Sequence, residues 1–175
     1  YQKGKKMRDH GMSYTKRYWH DLVGYNYRMT NMQAAVGVAQ MERLDEIVDS
    51  KRKIAEKYNM ALSRSNFLKL PTEKDWCYHS YWTYAVILND EKLNFETLEK
   101  KFKLNNVEIR PFFYPLSSQP PYKTFRRCKS LNNSIELAKK GFCLPSSVNL
   151  DNKMINKVCE VLNSIVNLNK MVNNI

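Results

Sequence analysis

The stretch HDLVGYNYRMTNMQAA, residues 20–35, gathers His20, Asp21, Gly24, Asn26 and Arg28 immediately ahead of a helix start. Thr30 offers an N-cap and Gln33 lies three residues on, so TNMQ fits a capping box. Capping accounts for Thr30 and Gln33, but it leaves Asn26, Tyr27 and Arg28 beside Gly24 unexplained. A helix start presents free N–H groups and the positive end of its dipole, which suits a phosphate. An Asn amide donates to a phosphate oxygen without adding charge. Two readings stand: a capped helix behind a polar loop, or an anion site.

A second stretch, IRPFFYPL (109–116), holds Arg110 and, between Pro111 and Pro115, Phe112, Phe113 and Tyr114. It reads either as an aromatic edge strand packed on a neighbour or as a stiff wall for a planar or sugar ligand anchored by Arg110. On the residues alone the packing role is the simpler one. His10, His20 and His79 share no metal-ligand spacing, and the Ser and Cys residues lack a nucleophile-elbow context.

Elements must hold these residues in place. Residues 1–9 read as the tail of a helix stopped at Gly11, and residues 12–29 as loop. From residue 31 apolar side chains recur at helical spacing as far as 63. Unbroken, such a helix would span about 45–50 Å, so a bend or a bridge between two domains is expected. SYWTYAVIL (80–88) predicts a strand and residues 94–104 a helix. Residues 107–116 predict an extended edge segment broken by Pro111 and Pro115. A short helix over 132–141, a strand at 142–145 and a final amphipathic helix over 151–172 complete the pattern. Strands alternating with helices mean an α/β or α+β domain.

Composition narrows the classes. The 175 residues, 43% hydrophobic and 12% aromatic, argue against disorder, and no run of about 18 apolar residues reads as a membrane span. A start at Tyr1, without Met or signal pattern, reads as a piece of something longer. The four scattered cysteines, 77, 128, 143 and 159, form no C-x-x-C. They read as reduced structural thiols in a cytoplasmic protein, with no metal site. The net charge of +12 is concentrated: residues 1–28 carry seven basic and two acidic side chains, and residues 100–140 ten and two. Such segments call for an anionic partner or are solvated surface.

RDHGMS (8–13), the run KRYWHDLVGYNYRMTNMQAAVGVAQMERLDEIVDSKRKIAEKY (16–58), EIRPFFYPLSSQPPY (108–122) and GFCLPSS (141–147) carry a resemblance. In this order and spacing the chain resembles the DegT-type, pyridoxal-phosphate-dependent sugar aminotransferases, of the perosamine-synthase kind, from about Lys5 to the final helix. The resemblance implies the C-terminal part of a fold-type I aminotransferase. Residues 1–45 would end the large cofactor domain, and residues 46–175 would form the bridging helix and small C-terminal domain. It further implies a homodimer, pyridoxal 5′-phosphate as cofactor, a sugar-nucleotide substrate of the 4-keto-6-deoxy class, and an amino-acid donor, glutamate. Asn26 would reach the phosphate of the other subunit's cofactor, and Arg28, Arg110, Phe113 and Tyr114 would contact substrate. Many relatives carry His after YPL, where this chain has Ser117.

The family's Schiff-base lysine lies upstream, in a Ser/Gly/Thr-rich stretch that is not present here. The twenty lysines of this chain sit in charged contexts, where a lysine is expected to stay protonated and exposed. The resemblance therefore assigns no catalytic residue to the chain and makes it inactive by itself. Two rivals remain. One is a basic nucleic-acid-binding module, backed by charge and interleaved Tyr and Trp but by no recognised motif. The other is a catalytically inactive relative that acts as a regulator.

Overall fold

The pentapeptide YAVIL alternates in burial as β-geometry demands: Tyr84, Val86 and Leu88 point into a core, while Ala85 and Ile87 are half-buried. This strand, β2 (Tyr84–Leu88), lies in a computed structural model that describes residues 1–89, 93–125 and 130–172. Arg126, Arg127, Cys128 and Lys129, part of the second basic segment, fall outside the described residues.

The described residues form two units, Tyr1–Asp45 and Glu46–Ile175. The second unit is built on four antiparallel strands in the order β1-β2-β4-β3, with β1 at Leu68–Lys69, β3 at Arg110–Pro111 and β4 at Gly141–Leu144. Register sets Tyr84 opposite Leu144 and Val86 opposite Phe142, so these four face one core. Helix α3 (Leu44–Leu62) adds Ile54, Ala55, Tyr58 and Leu62 to that core. Helix α4 (Phe95–Leu104) adds Leu98 and Phe102, and helix α6 (Asn152–Val172) adds Ile155, Val158, Cys159, Leu162 and Ile165. Each large side chain so buried contributes roughly 1.5–3 kcal/mol against the entropy of ordering. Two of the core's tyrosines stack at 4.7 Å and stay satisfied: Tyr58 Oη donates to the Pro145 carbonyl at 2.9 Å, and Tyr84 Oη to Asn59 Oδ1 at 2.6 Å. Helix α5 (Asn132–Lys140) packs on β4 and β2 and stops at Gly141, as the sequence predicts.

The first unit holds α1 (Gln2–Arg8) and α2 (Asn31–Glu42). The single helix expected from 31 to 63 is interrupted at Arg43, whose φ of −107° and ψ of 11° leave helical geometry. The strand expected over 80–88 begins only at Tyr84. Tyr81 takes φ +47°, and its N–H donates to His79 Nδ1 at 2.8 Å, so the backbone turns before the sheet starts.

Candidate functional site

Residues 7–13 and 19–27 of the first unit run antiparallel as a tight double strand growing out of α1. The Met7 and Arg8 carbonyls accept from Tyr25 N at 2.7 Å and Tyr27 N at 2.9 Å, and Tyr25 O accepts from His10 N at 2.9 Å. Isolated bridges pair Asp9 with Asn26 and Met12 with His20. Gly24 and Gly11 make the approach possible. A Cβ on Gly24 would stand 2.1 Å from Gly11 N, and one on Gly11, which takes φ +69°, 1.9 Å from the Leu22 carbonyl. Lys6 pairs with Asp21, and His20 Nδ1 donates to the His10 carbonyl at 2.8 Å, the only role an imidazole nitrogen can take toward a carbonyl.

This frame carries Asn26 and Arg28 together. Arg28 Nε donates to Asn26 Oδ1 at 3.4 Å and sits 3.3 Å from Asp9 Oδ1. Tyr25 and Tyr27, on either side of Asn26, stack at 5.3 Å with planes 12° apart. The capping box that the sequence predicts is formed. Thr30 Oγ1 accepts from Gln33 N at 3.3 Å, and Gln33 Oε1 accepts from Thr30 N at 2.9 Å. Capping thus uses Thr30 and Gln33 and leaves Asn26 outside it.

Arg110, Phe113 and Tyr114 belong to the second unit. Pro111 confines β3 to two residues at the sheet edge, where Arg110 lies opposite Cys143. Phe113 is 85% and Tyr114 67% exposed, and with Arg110 and Tyr122 they line a cavity of about 710 Å³. Phe112 instead covers Gly141, where a Cβ would meet its ring at 2.3 Å. So one aromatic of the segment packs, and two remain open along the cavity. Ser117 sits in the 3₁₀ turn Leu116–Ser118.

Sequence reasoning missed a second cavity, of about 660 Å³, lined by Lys51, Trp82, Arg110, Cys143, Ser146 and Lys157 among others. Lys51 also departs from the expectation that every lysine here is solvated. Burial lowers its pKa, and its ammonium donates to the carbonyls of Trp82, at 3.1 Å, and Ser146. The context DSKRKI carries no signal of this. Arg52 forms a two-pronged pair with Glu73 (2.9 and 3.1 Å), donates to the His79 carbonyl at 2.7 Å and lies over the Tyr78 ring at 4.3 Å. Its hydrogen bonds hold the Glu73 carboxyl below the usual carboxylate range. Cys77, Cys143 and Cys159 are free thiols. Among the described residues no cluster of His, Cys, Asp and Glu could hold a metal, and no helix is long and apolar enough to cross a membrane.

Residues 1–163 match the pattern of the DegT/DnrJ/EryC1/StrS aminotransferase family. The chain belongs to that family. It is 37% identical over 163 residues to the GDP-perosamine synthase of Vibrio cholerae, covering 93% of this chain and 44% of that protein. It is 32% identical over 159 residues to the GDP-perosamine synthase of Escherichia coli O157:H7, covering 87% and 41%. The chain thus spans less than half the length of these relatives.

The fold agrees with this membership. An aminotransferase, TlmJ, from Streptoalloteichus hindustanus superposes with a TM-score of 0.83 at 22% identity, over 96% of this chain and 45% of that one. An E. coli GDP-4-keto-6-deoxy-D-mannose-3-dehydratase, solved with bound hydrated PLP, superposes with a TM-score of 0.72 at 22% identity, over 83% and 38%. The chain therefore has the fold of part of a DegT-family enzyme, and pyridoxal phosphate is the cofactor that accompanies the family.

Proposed function

We propose that the full-length protein is a pyridoxal-phosphate-dependent aminotransferase acting on a nucleotide-linked 4-keto-6-deoxy sugar, with an amino acid, glutamate, as donor. The observation that carries this reading is identity above 30% to GDP-perosamine synthases over most of the chain. In it, residues 1–45 end the large domain, and residues 46–175 supply the bridging helix and small domain.

The residues present fit the cofactor's phosphate. Asn26 is exposed, its Oδ1 is engaged by Arg28, and its amide nitrogen is left to donate. The loop beneath is fixed by paired backbone groups, so little ordering is needed on binding. A donor to a charged phosphate is worth about 1.5–3 kcal/mol. When bound, the cofactor supplies an electron sink for carbanion chemistry. The chain's own part is to orient: Asn26 holds the phosphate of the partner's cofactor, and Arg110, Phe113 and Tyr114 hold the sugar nucleotide. The Lys51 amine is already engaged by the carbonyls of Trp82 and Ser146, so the reading gives it no part in carrying the cofactor.

The reading includes a homodimer, and α2 supports it. At about 100° per residue, Met32, Ala35, Val36 and Ala39 fall on one side, and Ala34, Val38 and Met41 on the other. None of the helix's residues is buried within the chain. A helix apolar on two opposite sides belongs between two bodies, and a second copy supplies one of them. Free Cys77, Cys143 and Cys159 support a cytoplasmic setting.

The test is an assay of the full-length protein with glutamate and a panel of GDP-, UDP- and dTDP-linked 4-keto-6-deoxy sugars. Amino-sugar formation on one of them is expected. No turnover on any, together with sequence-selective nucleic-acid binding that survives physiological salt, would overturn the reading in favour of a basic binding module. The presence of a cofactor-bearing lysine upstream separates it from an inactive regulatory relative.

A further inference from the structure

We infer that Asp9 and Arg28 are a positioning pair that sets the amide orientation of Asn26 toward the cofactor phosphate. The inference rests on the aminotransferase reading and goes beyond it, because it gives Arg28 a task other than touching a ligand. An Asn amide is nearly symmetric in shape but opposite in chemistry at its two ends. Only the NH₂ end attracts a phosphate, and the oxygen end repels it. Something must choose between the two orientations. Arg28 can only donate, and its Nε–H lies 3.4 Å from Asn26 Oδ1. The oxygen is drawn toward Arg28, and the NH₂ is turned away from it.

Arg28 is held in turn. Its Nε stands 3.3 Å from Asp9 Oδ1. Among the described residues that oxygen, shielded from water, has no hydrogen-bond partner of good geometry, so the nearby guanidinium compensates it. The backbones of Asp9 and Asn26 are themselves bridged. Anchor, clamp and clamped residue therefore share one rigid piece of loop. The same pairing offsets the charge of Arg28, which reduces its own pull on a phosphate. Asp9 thereby acquires a role that its place at the end of α1 would not announce.

The experiment titrates the full-length protein with pyridoxal 5′-phosphate and, separately, with pyridoxal, which lacks the phosphate, following absorbance and thermal stability. Asn26→Ala and Arg28→Gln are each expected to weaken pyridoxal phosphate about tenfold. Pyridoxal affinity should stay within about twofold, and the double variant should be no worse than Asn26→Ala. Arg28→Lys keeps the charge but lacks the Nε–H, so it should behave as Arg28→Gln. Asp9→Asn should shift affinity in the same direction, to a smaller extent. Rescue by Arg28→Lys, or losses that multiply in the double variant, would show that Arg28 acts on the phosphate by its own charge and would overturn the proposal. Equal losses for both ligands, or a fall in melting temperature matching the loss, would also overturn it by showing a role in folding only. If Asn26→Ala leaves phosphate selectivity untouched, the assignment of Asn26 fails and the pair's role with it. If the unmodified protein shows no saturable binding of pyridoxal phosphate, it is the aminotransferase reading that fails.

Discussion

Gly24 and Gly11 meet backbone to backbone, and the room for that meeting is the absence of two methyl groups. A Cβ at Gly24 would lie 2.1 Å from one backbone nitrogen and 2.5 Å from a carbonyl carbon, neither of which can yield as a side chain would. Gly24→Ala should therefore open the double strand, at a cost of about 1–3 kcal/mol or more. Limited proteolysis should show cleavage within residues 9–27 while the second unit stays resistant. Arg110 makes the opposite point, because its proposed role is chemical and its packing slight. It is exposed, with Glu108 at 3.5 Å. Arg110→Lys keeps the charge and loses the planar fork. We expect a raised KM for the sugar nucleotide with the cofactor absorbance unchanged; altered cofactor affinity with normal KM would show that Arg110 is misplaced. Residue by residue, the sequence made the cap legible, because Thr30 and Gln33 act within one turn. It could not reveal the Asp9–Arg28–Asn26 contact, because that depends on two segments about seventeen residues apart folding onto each other.

Among the elements, legibility followed period and length. The α4 and α6 helices, amphipathic and capped or long, lie close to where their patterns put them. β2 is shorter than its hydrophobic run, because the turn at Tyr81 is set by a side-chain bond from His79 that no periodicity records. β1, two residues long, has no period to detect. Inside α6, Cys159 faces the core, and burial pushes its thiol up to about 11, with the Glu160 charge adding to the rise. The sign follows from linkage. The unfolded thiol loses its proton near about 8.5, while the folded thiol keeps it. The folded state thus binds more protons between about 8.5 and 11, and stability falls as pH rises through that window. Thermal melts of the full-length protein across this range should decline more steeply than those of Cys159→Ala. Parallel profiles would show that the thiol is not the titrating group. Tyr58→Phe tests the same layer. It strands the Pro145 carbonyl and should cost about 1–3 kcal/mol in denaturant titration, with little effect on cofactor binding.

At the scale of the whole molecule, the proposal that Asn26 serves the partner's site makes a claim that single chains cannot test. A heterodimer of one Asn26→Ala chain and one chain lacking the upstream lysine separates the alternatives. If Asn26 acts across the interface, the lysine-bearing site receives an intact Asn from its partner, and half the sites should bind cofactor normally. If it acts within its own chain, that site carries the Ala defect, and its weakened affinity would refute the shared site. The two-sided α2 helix has a further consequence, for the life of the protein in the cell. Until both of its apolar sides are covered, a newly made chain displays Met32 and Val36 on one side and Val38 and Met41 on the other, each more than half exposed. Such exposed apolar surface is what chaperones hold and what proteases and aggregation act upon. Assembly would then act as a maturation checkpoint: orphan subunits made in excess should be short-lived, and tolerance to dilution should rise with subunit concentration. In the proposed dimer, the helix that joins the halves would also mark the copies that have not yet found one another.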